Sequence, residues 1–291
     1  MGQWRTRVAG AVQDSWPSQF SGSGRAGTRL RTILSGNRVD AFLASDIGCV
    51  RDSNQDSMAL VVPGEATLRQ RRGLLAVVAD GMGGHNGGEV ASAVAVEAIC
   101  RSYFAAAAAD DPAEALALAL REANAAVFRA AEADSRLTGM GTTASALALV
   151  ADHALVAHVG DSRVYHCRGG RGRQLTTDDS LIVELINNGM ISAEQARYHP
   201  ARNVLLRSLG TQAKLWVIAQ PGASPEPGDS FVLCSDGLWD SVDADEIAQF
   251  VATMVPEEAV RRLIALARAR DGSDNISVGV ITIRAAQPVP A

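Results

Sequence analysis

The sequence predicts an α+β layered fold, and three observations carry that expectation. Short apolar runs of strand length recur along the chain, two long helical patterns fall between the early strands, and another helical pattern precedes the last strand. No β-α-β-α alternation develops, which disfavours a doubly wound parallel sheet. The 291 residues are 47% apolar and 20% charged, enough apolar material for a large buried core.

Residues 1–37 read as a flexible tail and residues 38–286 as one globular domain. The tail carries Trp4, Trp16, many Arg, Ser and Gly, and one acidic residue, Asp14, with no sustained apolar period. Its start, Met1-Gly2-Gln3-Trp4-Arg5-Thr6, fits a myristoylation pattern so short that acylation is not expected. Residues 41–44 and 58–62 read as strands flanking a loop. Residues 74–79 (LLAVVA) form a continuous apolar run stopped by Asp80-Gly81, the pattern of a buried strand ending in a turn.

A helix is expected over 88–104. Asp111-Pro112 opens the next, with Pro in the first turn, and Leu116, Leu120, Ala123, Val127 and Ala130 share one face. Residues 142–150 and 154–167 read as a strand pair turning at Ala151-Asp152-His153. Residues 181–188 are helical, with Gly189 as the stop. Residues 190–210 lack a clean period and suggest a surface flap. Residues 231–234 form a strand, Pro256 opens a helix with the stripe Val260, Leu263, Ile264 and Ala267, and residues 276–283 form a final strand apolar on both faces.

A net charge of −5 argues against a nucleic-acid binder. Cys49, Cys100, Cys167 and Cys234 form no C-x-x-C pair, so free thiols in a reducing cytoplasm are expected, with Cys49 a small buried side chain. No apolar run approaches the length of a membrane span, so no membrane partner is expected. His153, His158, His166 and His199 lack metal spacing and read as structural or surface residues.

Three apolar strands end in an aspartate beside glycine: Asp80-Gly81, Gly160-Asp161 and Asp236-Gly237. Asp274 precedes the last strand and Asp56 lies in the first loop. One such pair is ordinary turn chemistry. Several carboxylates brought to one sheet edge would repel one another unless cations neutralise them, and all-oxygen ligands suit Mg²⁺ or Mn²⁺.

Seven segments in order resemble the metal-dependent, type 2C family of protein phosphatases. They are Asp46 to Asp56 (DIGCVRDSNQD), Asp80 to His85 (DGMGGH), Gly141-Thr142-Thr143, Gly160 to Arg163 (GDSR), Leu175 to Ser180 (LTTDDS), Cys234 to Asp240 (CSDGLWD) and Asp274 to Ser277 (DNIS). They span roughly residues 40–284. The resemblance implies a four-layer αββα sandwich of two antiparallel sheets between helices. It implies hydrolysis of phosphoserine and phosphothreonine in proteins by a metal-activated water, opposing a bacterial Ser/Thr kinase, by a cytoplasmic monomer.

The resemblance also implies roles. Asp80 bridges two Mn²⁺ or Mg²⁺ ions, and the Gly81 carbonyl binds one of them. Asp236 and Asp274 complete the protein ligands of the other ion, Asp56 acts mainly through water, and Asp161 with Asp236 offers a possible third site. Arg51 holds the substrate phosphate, and His85 is the general acid for the leaving alkoxide. Gln55 stands where many members have Glu, which implies altered metal affinity. Asp179 stands where a histidine is common, and its effect has no account at this level. Two other readings stand beside this one: a catalytically weak phosphoprotein-binding regulator on the same fold, and a phosphatase for small phosphorylated metabolites.

Overall fold

The run Leu74-Leu75-Ala76-Val77-Val78-Ala79 is apolar at every position because both faces of its strand are covered. Leu75, Val77 and Ala79 join one core, and Leu74, Ala76 and Val78 join another. Alternate side chains of a strand point to opposite faces, so this strand must lie between two packed layers. The same division recurs at the other end of the chain. Phe231, Leu233, Ile281 and Ile283 join the second core, while Val232, Cys234, Val278 and Val280 join a third.

The computed structural model describes residues 20–21, 27–83, 87–105, 109–196 and 198–285. In chain order these form β1 (Phe20–Ser21), β2 (Thr28–Leu34), β3 (Asn37–Asp46), β4 (Asp56–Val61), α1 (Ala66–Arg72), β5 (Leu74–Met82), α2 (Gly87–Phe104) and α3 (Pro112–Ala133). There follow β6 (Gly141–Thr142), β7 (Ala144–Val150), β8 (His153–Val159), β9 (Arg163–Arg168), β10 (Arg171–Gln174), α4 (Leu181–Asn187) and α5 (Ala193–Ala196). The chain closes with β11 (Ala219–Pro221), β12 (Ser230–Cys234), α6 (Asp236–Trp239), α7 (Ala244–Thr253), α8 (Pro256–Arg270) and β13 (Ile276–Arg284).

Two antiparallel sheets result. One runs β1-β4-β5-β7-β8-β11 with β6 on β5, and the other runs β10-β9-β12-β13-β3-β2. The second core fills the space between them. Helices α2 and α3 cover the outer face of the first sheet, and α7 and α8 cover that of the second. This is the four-layer αββα sandwich, and the α+β expectation holds. The Asp111 carboxylate accepts the Ala113 N–H at 3.1 Å and Pro112 occupies the first turn, so α3 starts where its sequence indicates.

Four boundaries differ from the sequence reading. β5 does not turn at Asp80-Gly81 but runs on to Met82, where β6 pairs with it. Residues 28–34, counted with the tail, form β2 and pair with β3 along their whole length. Arg29 and Arg31 alternate with Leu30 and Thr32, and the exposed arginines hide a strand at the sheet edge. Residues 1–19 and 22–26 of that tail lie outside the described residues. Residues 154–167 form two strands rather than one. The chain breaks at Gly160-Asp161-Ser162, and β8 and β9 belong to different sheets. Gly160 takes φ +102°, a backbone angle open to glycine, and the crossing turns there. The expected flap, 190–210, contains the short α5 and is tied back by bridges from Leu205 to Ser180 and from Leu209 to Thr142. Among the described residues, no helix is long and apolar enough to cross a membrane.

Candidate active site

The two sheets deliver carboxylates to one end of the sandwich. Asp56 and Asp80 are direct partners in the antiparallel β4–β5 register. In the other sheet, Asp236 follows β12 and Asp274 precedes β13, and these two strands are neighbours. Asp161 sits in the turn where the chain crosses between sheets. The Ser235 hydroxyl donates to Asp56 Oδ2 at 2.7 Å and accepts the Ser277 N–H at 3.0 Å, so one side chain stitches the sheets together beneath the cluster.

Backbone contacts fix the loop around it. The Asn275 carboxamide oxygen accepts the Gln55 N–H at 2.8 Å, and its Nδ2 donates to the Ile47 and Ser53 carbonyls, both at 3.0 Å. The Asp80 N–H donates to the Thr143 hydroxyl at 2.9 Å, and that hydroxyl lies 2.6 Å from Ser162 Oγ. The Gly81 N–H donates to the Gln55 carbonyl at 3.1 Å. A side chain at Gly81 would strike the Gly88 carbonyl, so only glycine lets these three segments close up.

Burial and mutual repulsion hold these acids toward their neutral forms. Asp80 is pushed well above the usual carboxylate range, first by burial and then by Asp56, Asp236, Asp161 and Asp274. Asp236 is pushed up by burial and then by Asp161, Asp274 and Asp56. Burial raises Asp56 to about 6 against the donors on Ser277 and Ser235, and raises Asp161 to about 6 with Asp178 adding to it. The cluster is short of positive charge. The Arg51 Nη2 donates to Asp274 Oδ2 at 2.6 Å at the half-exposed rim. Arg163 is committed to Asp178, with Nη2–Oδ2 at 2.7 Å, and its guanidinium lies 3.6 Å from the Trp239 ring centre.

The structure therefore brings together Asp56, Asp80, Gly81, Asp161, Asp236 and Asp274, with Arg51 at the edge. His85 lies outside the described residues. Gln55 packs on the start of α2, where a side chain at Gly88 would meet its carboxamide. Asp179 gains an account that its sequence lacked. Its carboxylate accepts the Gly160 N–H and the Arg207 Nη1, each at 3.1 Å, so it ties the sheet-crossing turn to the end of the flap. Cys49 is a correction: it is exposed, because the Cys49 N–H donates to the Gly272 carbonyl at 2.7 Å and leaves the loop at the surface beside Arg268.

Ser235 and Asn275 do the local positioning, and sequence reading assigned them no role. The available signal was their adjacency to Asp236 and Asp274, because a polar residue next to a buried acid at a strand end is placed to hold it. Trp239 is similar, since its Nε1 donates to the Asp161 carbonyl at 2.9 Å.

The donor set fits hard divalent cations. Asp56 Oδ1 and Asp236 Oδ1 are buried with no hydrogen-bond partner among the described residues, a costly arrangement that a cation relieves. Among the described residues, no three Asp, Glu, His or Cys side chains form a ready coordination shell. The acids are near enough to raise one another's proton affinity.

The family model for protein phosphatase 2C matches residues 51–268. The chain is 36% identical over 242 residues to the serine/threonine protein phosphatase PstP of Mycobacterium tuberculosis, an alignment covering 82% of this chain and 44% of that protein. It thus spans less than half the length of that relative. It is 33% identical over 246 residues to a putative protein phosphatase 2C-type of Streptococcus pyogenes, covering 82% of this chain and 95% of the relative. Among solved structures it is similar to the catalytic domain of serine threonine protein phosphatase PstP in complex with two manganese ions. The TM-score is 0.70 at 31% identity, covering 84% of this chain and 98% of the other.

Proposed function

Because this chain belongs to the protein phosphatase 2C family, we propose that it hydrolyses phosphoserine and phosphothreonine in proteins, with divalent cations at the carboxylate cluster. The observation that carries the reading is the convergence of Asp56, Asp80, Asp161, Asp236 and Asp274 from both sheets without enough positive charge to balance them. In this reading Asp80, the Gly81 carbonyl, Asp236 and Asp274 would hold two Mn²⁺ or Mg²⁺ ions, Asp56 would act through water, and Asp161 with Asp236 would offer a third, weaker position. When bound, the ions supply positive charge to the phosphoryl oxygens and make water nucleophilic near neutral pH.

The chain's own residues do the rest. Arg51, half exposed and held at the rim by Asp274, carries further N–H donors that a phosphoryl group can accept in a forked contact. Ser235 and Asn275 keep Asp56 and the 47–55 loop in place, and Thr143 fixes the backbone of Asp80. Water attacks phosphorus in line as the bond to the serine or threonine oxygen breaks, and His85 gives the leaving alkoxide its proton. The substrates are cytoplasmic phosphoproteins made by a Ser/Thr kinase, and the enzyme works as a monomer.

Phosphate release from a phosphothreonine peptide tests this directly. Turnover in Mn²⁺ that disappears with a chelator and returns with added Mn²⁺ is expected. A protein that binds the phosphopeptide yet releases no phosphate under those conditions would be a binding regulator instead.

A further inference from the structure

We propose that the cavity behind the flap is a docking site for a basic side chain, arginine or lysine, of the phosphoprotein being hydrolysed. The proposal rests on the phosphatase reading and adds to it a class of substrate.

The cavity has a volume of about 560 Å³, inside the range of built ligand sites. Its walls include α4, the edge of the first sheet at β8 and β11, and the segments around Arg207 and Trp216. Asp178, Asp179 and Glu184 give it three carboxylates. Arg207 is the cation among the described lining residues, and it is already used. Its Nη1 donates to Asp179 at 3.1 Å and its Nη2 donates to the Trp216 carbonyl. Asp178 is paired from behind by Arg163. Glu184 is exposed, with no ion pair among the described residues.

Trp216 lines the same cavity with 78% of its surface exposed. A free carboxylate and an open indole face in one cavity are complementary to a cation carried on an apolar stem. His158 also lines the cavity, its Nδ1 2.8 Å from the Ser145 hydroxyl and its Nε2 buried beneath the wall. An acidic side chain would be repelled here, and a purely apolar one would leave Glu184 unmet.

The cavity is also a neighbour of the carboxylate cluster. The Gly160 N–H donates to Asp179 Oδ2 at 3.1 Å, and the Asp179 N–H donates to the Gly160 carbonyl at 2.7 Å. Gly160 leads into Asp161, so Asp179 in the cavity wall is tied to the turn that carries a member of the cluster. An extended peptide with its phosphoryl group at the cluster can lay a flanking residue in the cavity.

The test scans arginine, alanine and glutamate through each position flanking the phosphothreonine of a peptide and reads kcat/KM in Mn²⁺. Aryl phosphate serves as the substrate that cannot reach the cavity. At one flanking position, arginine is expected to exceed alanine by roughly tenfold and glutamate to fall below it. E184Q and W216A should each reduce that gain, and E184Q/W216A should erase it. Aryl phosphate turnover and melting temperature should stay unchanged in all three. A flat scan, or a gain that survives in E184Q/W216A, overturns the docking site while leaving the phosphatase reading intact. Absence of aryl phosphate turnover in the unaltered protein overturns both.

Discussion

Asp56→Asn separates the stability of the sandwich from its proposed chemistry. Asp56 is fully inside the protein, and burial lifts its carboxyl from 3.8 to about 6 in the metal-free fold. A folded-state value above the unfolded one means that ionising the group works against folding. The cost is absent below about pH 4, where both states are protonated, and grows until the pH passes about 6. Lifting the carboxyl that far costs roughly 3 kcal/mol at neutral pH. For a domain of this size, that translates into about 6–12 °C of melting temperature. Asparagine keeps the acceptor for the Ser235 hydroxyl and discards the charge.

Metal-free Asp56→Asn is therefore expected to melt about 6–12 °C above the unaltered protein at about pH 7.5. The gap should close as the pH falls toward 4. Added Mn²⁺ should stabilise the unaltered protein more than the variant, because the ions neutralise the acids whose repulsion the variant has already reduced. Differential scanning calorimetry in chelator and in Mn²⁺ across pH measures all three trends. A variant that melts at or below the unaltered protein in chelator at neutral pH, or a gap that persists at acid pH, would refute the claim that this carboxylate is buried under electrostatic strain.

Arg163→Ala removes the partner of buried Asp178 and the stack on Trp239. It should destabilise by about 3 kcal/mol in urea titrations, and pairing it with Asp178→Asn should restore much of the loss. Gly81→Ala drives a methyl against the Gly88 carbonyl and should lower stability by about 2 kcal/mol or more while abolishing Mn²⁺-dependent turnover, measured by unfolding and phosphate release. His85→Ala should reduce turnover of a phosphothreonine peptide by roughly 100-fold and of an aryl phosphate far less, since a phenolate needs no proton to leave. Equal losses on both substrates would count against the acid role.

The legible part of the site was the part written as acids beside glycine or next to strands, although β5 does not turn at Asp80. Asp80, Asp161, Asp236 and Asp274 stand beside glycine or at strand ends, and their recurrence pointed to one sheet edge before any geometry was available. The buried strand at 74–79 and the capped start of α3 were equally local, because period and capping chemistry depend on near neighbours. What escaped the reading depended on distant partners. The break at Gly160 is invisible in an apolar run that stays buried on both sides of it, since only the assignment of β8 and β9 to different sheets distinguishes them. Asp179 takes its meaning from Arg207, far along the chain, and the exposure of Cys49 from the Gly272 carbonyl. β2 was hidden because its exposed arginines lie on an edge strand whose apolar positions are only half covered.

Anomalous diffraction from crystals equilibrated with Mn²⁺ bears most directly on the account. Two peaks are expected, flanking the Asp80 carboxylate, one within ligand distance of the Gly81 carbonyl and the other of Asp236 and Asp274. Soaked crystals with no peak among these aspartates, or with manganese bound only elsewhere on the surface, would contradict it.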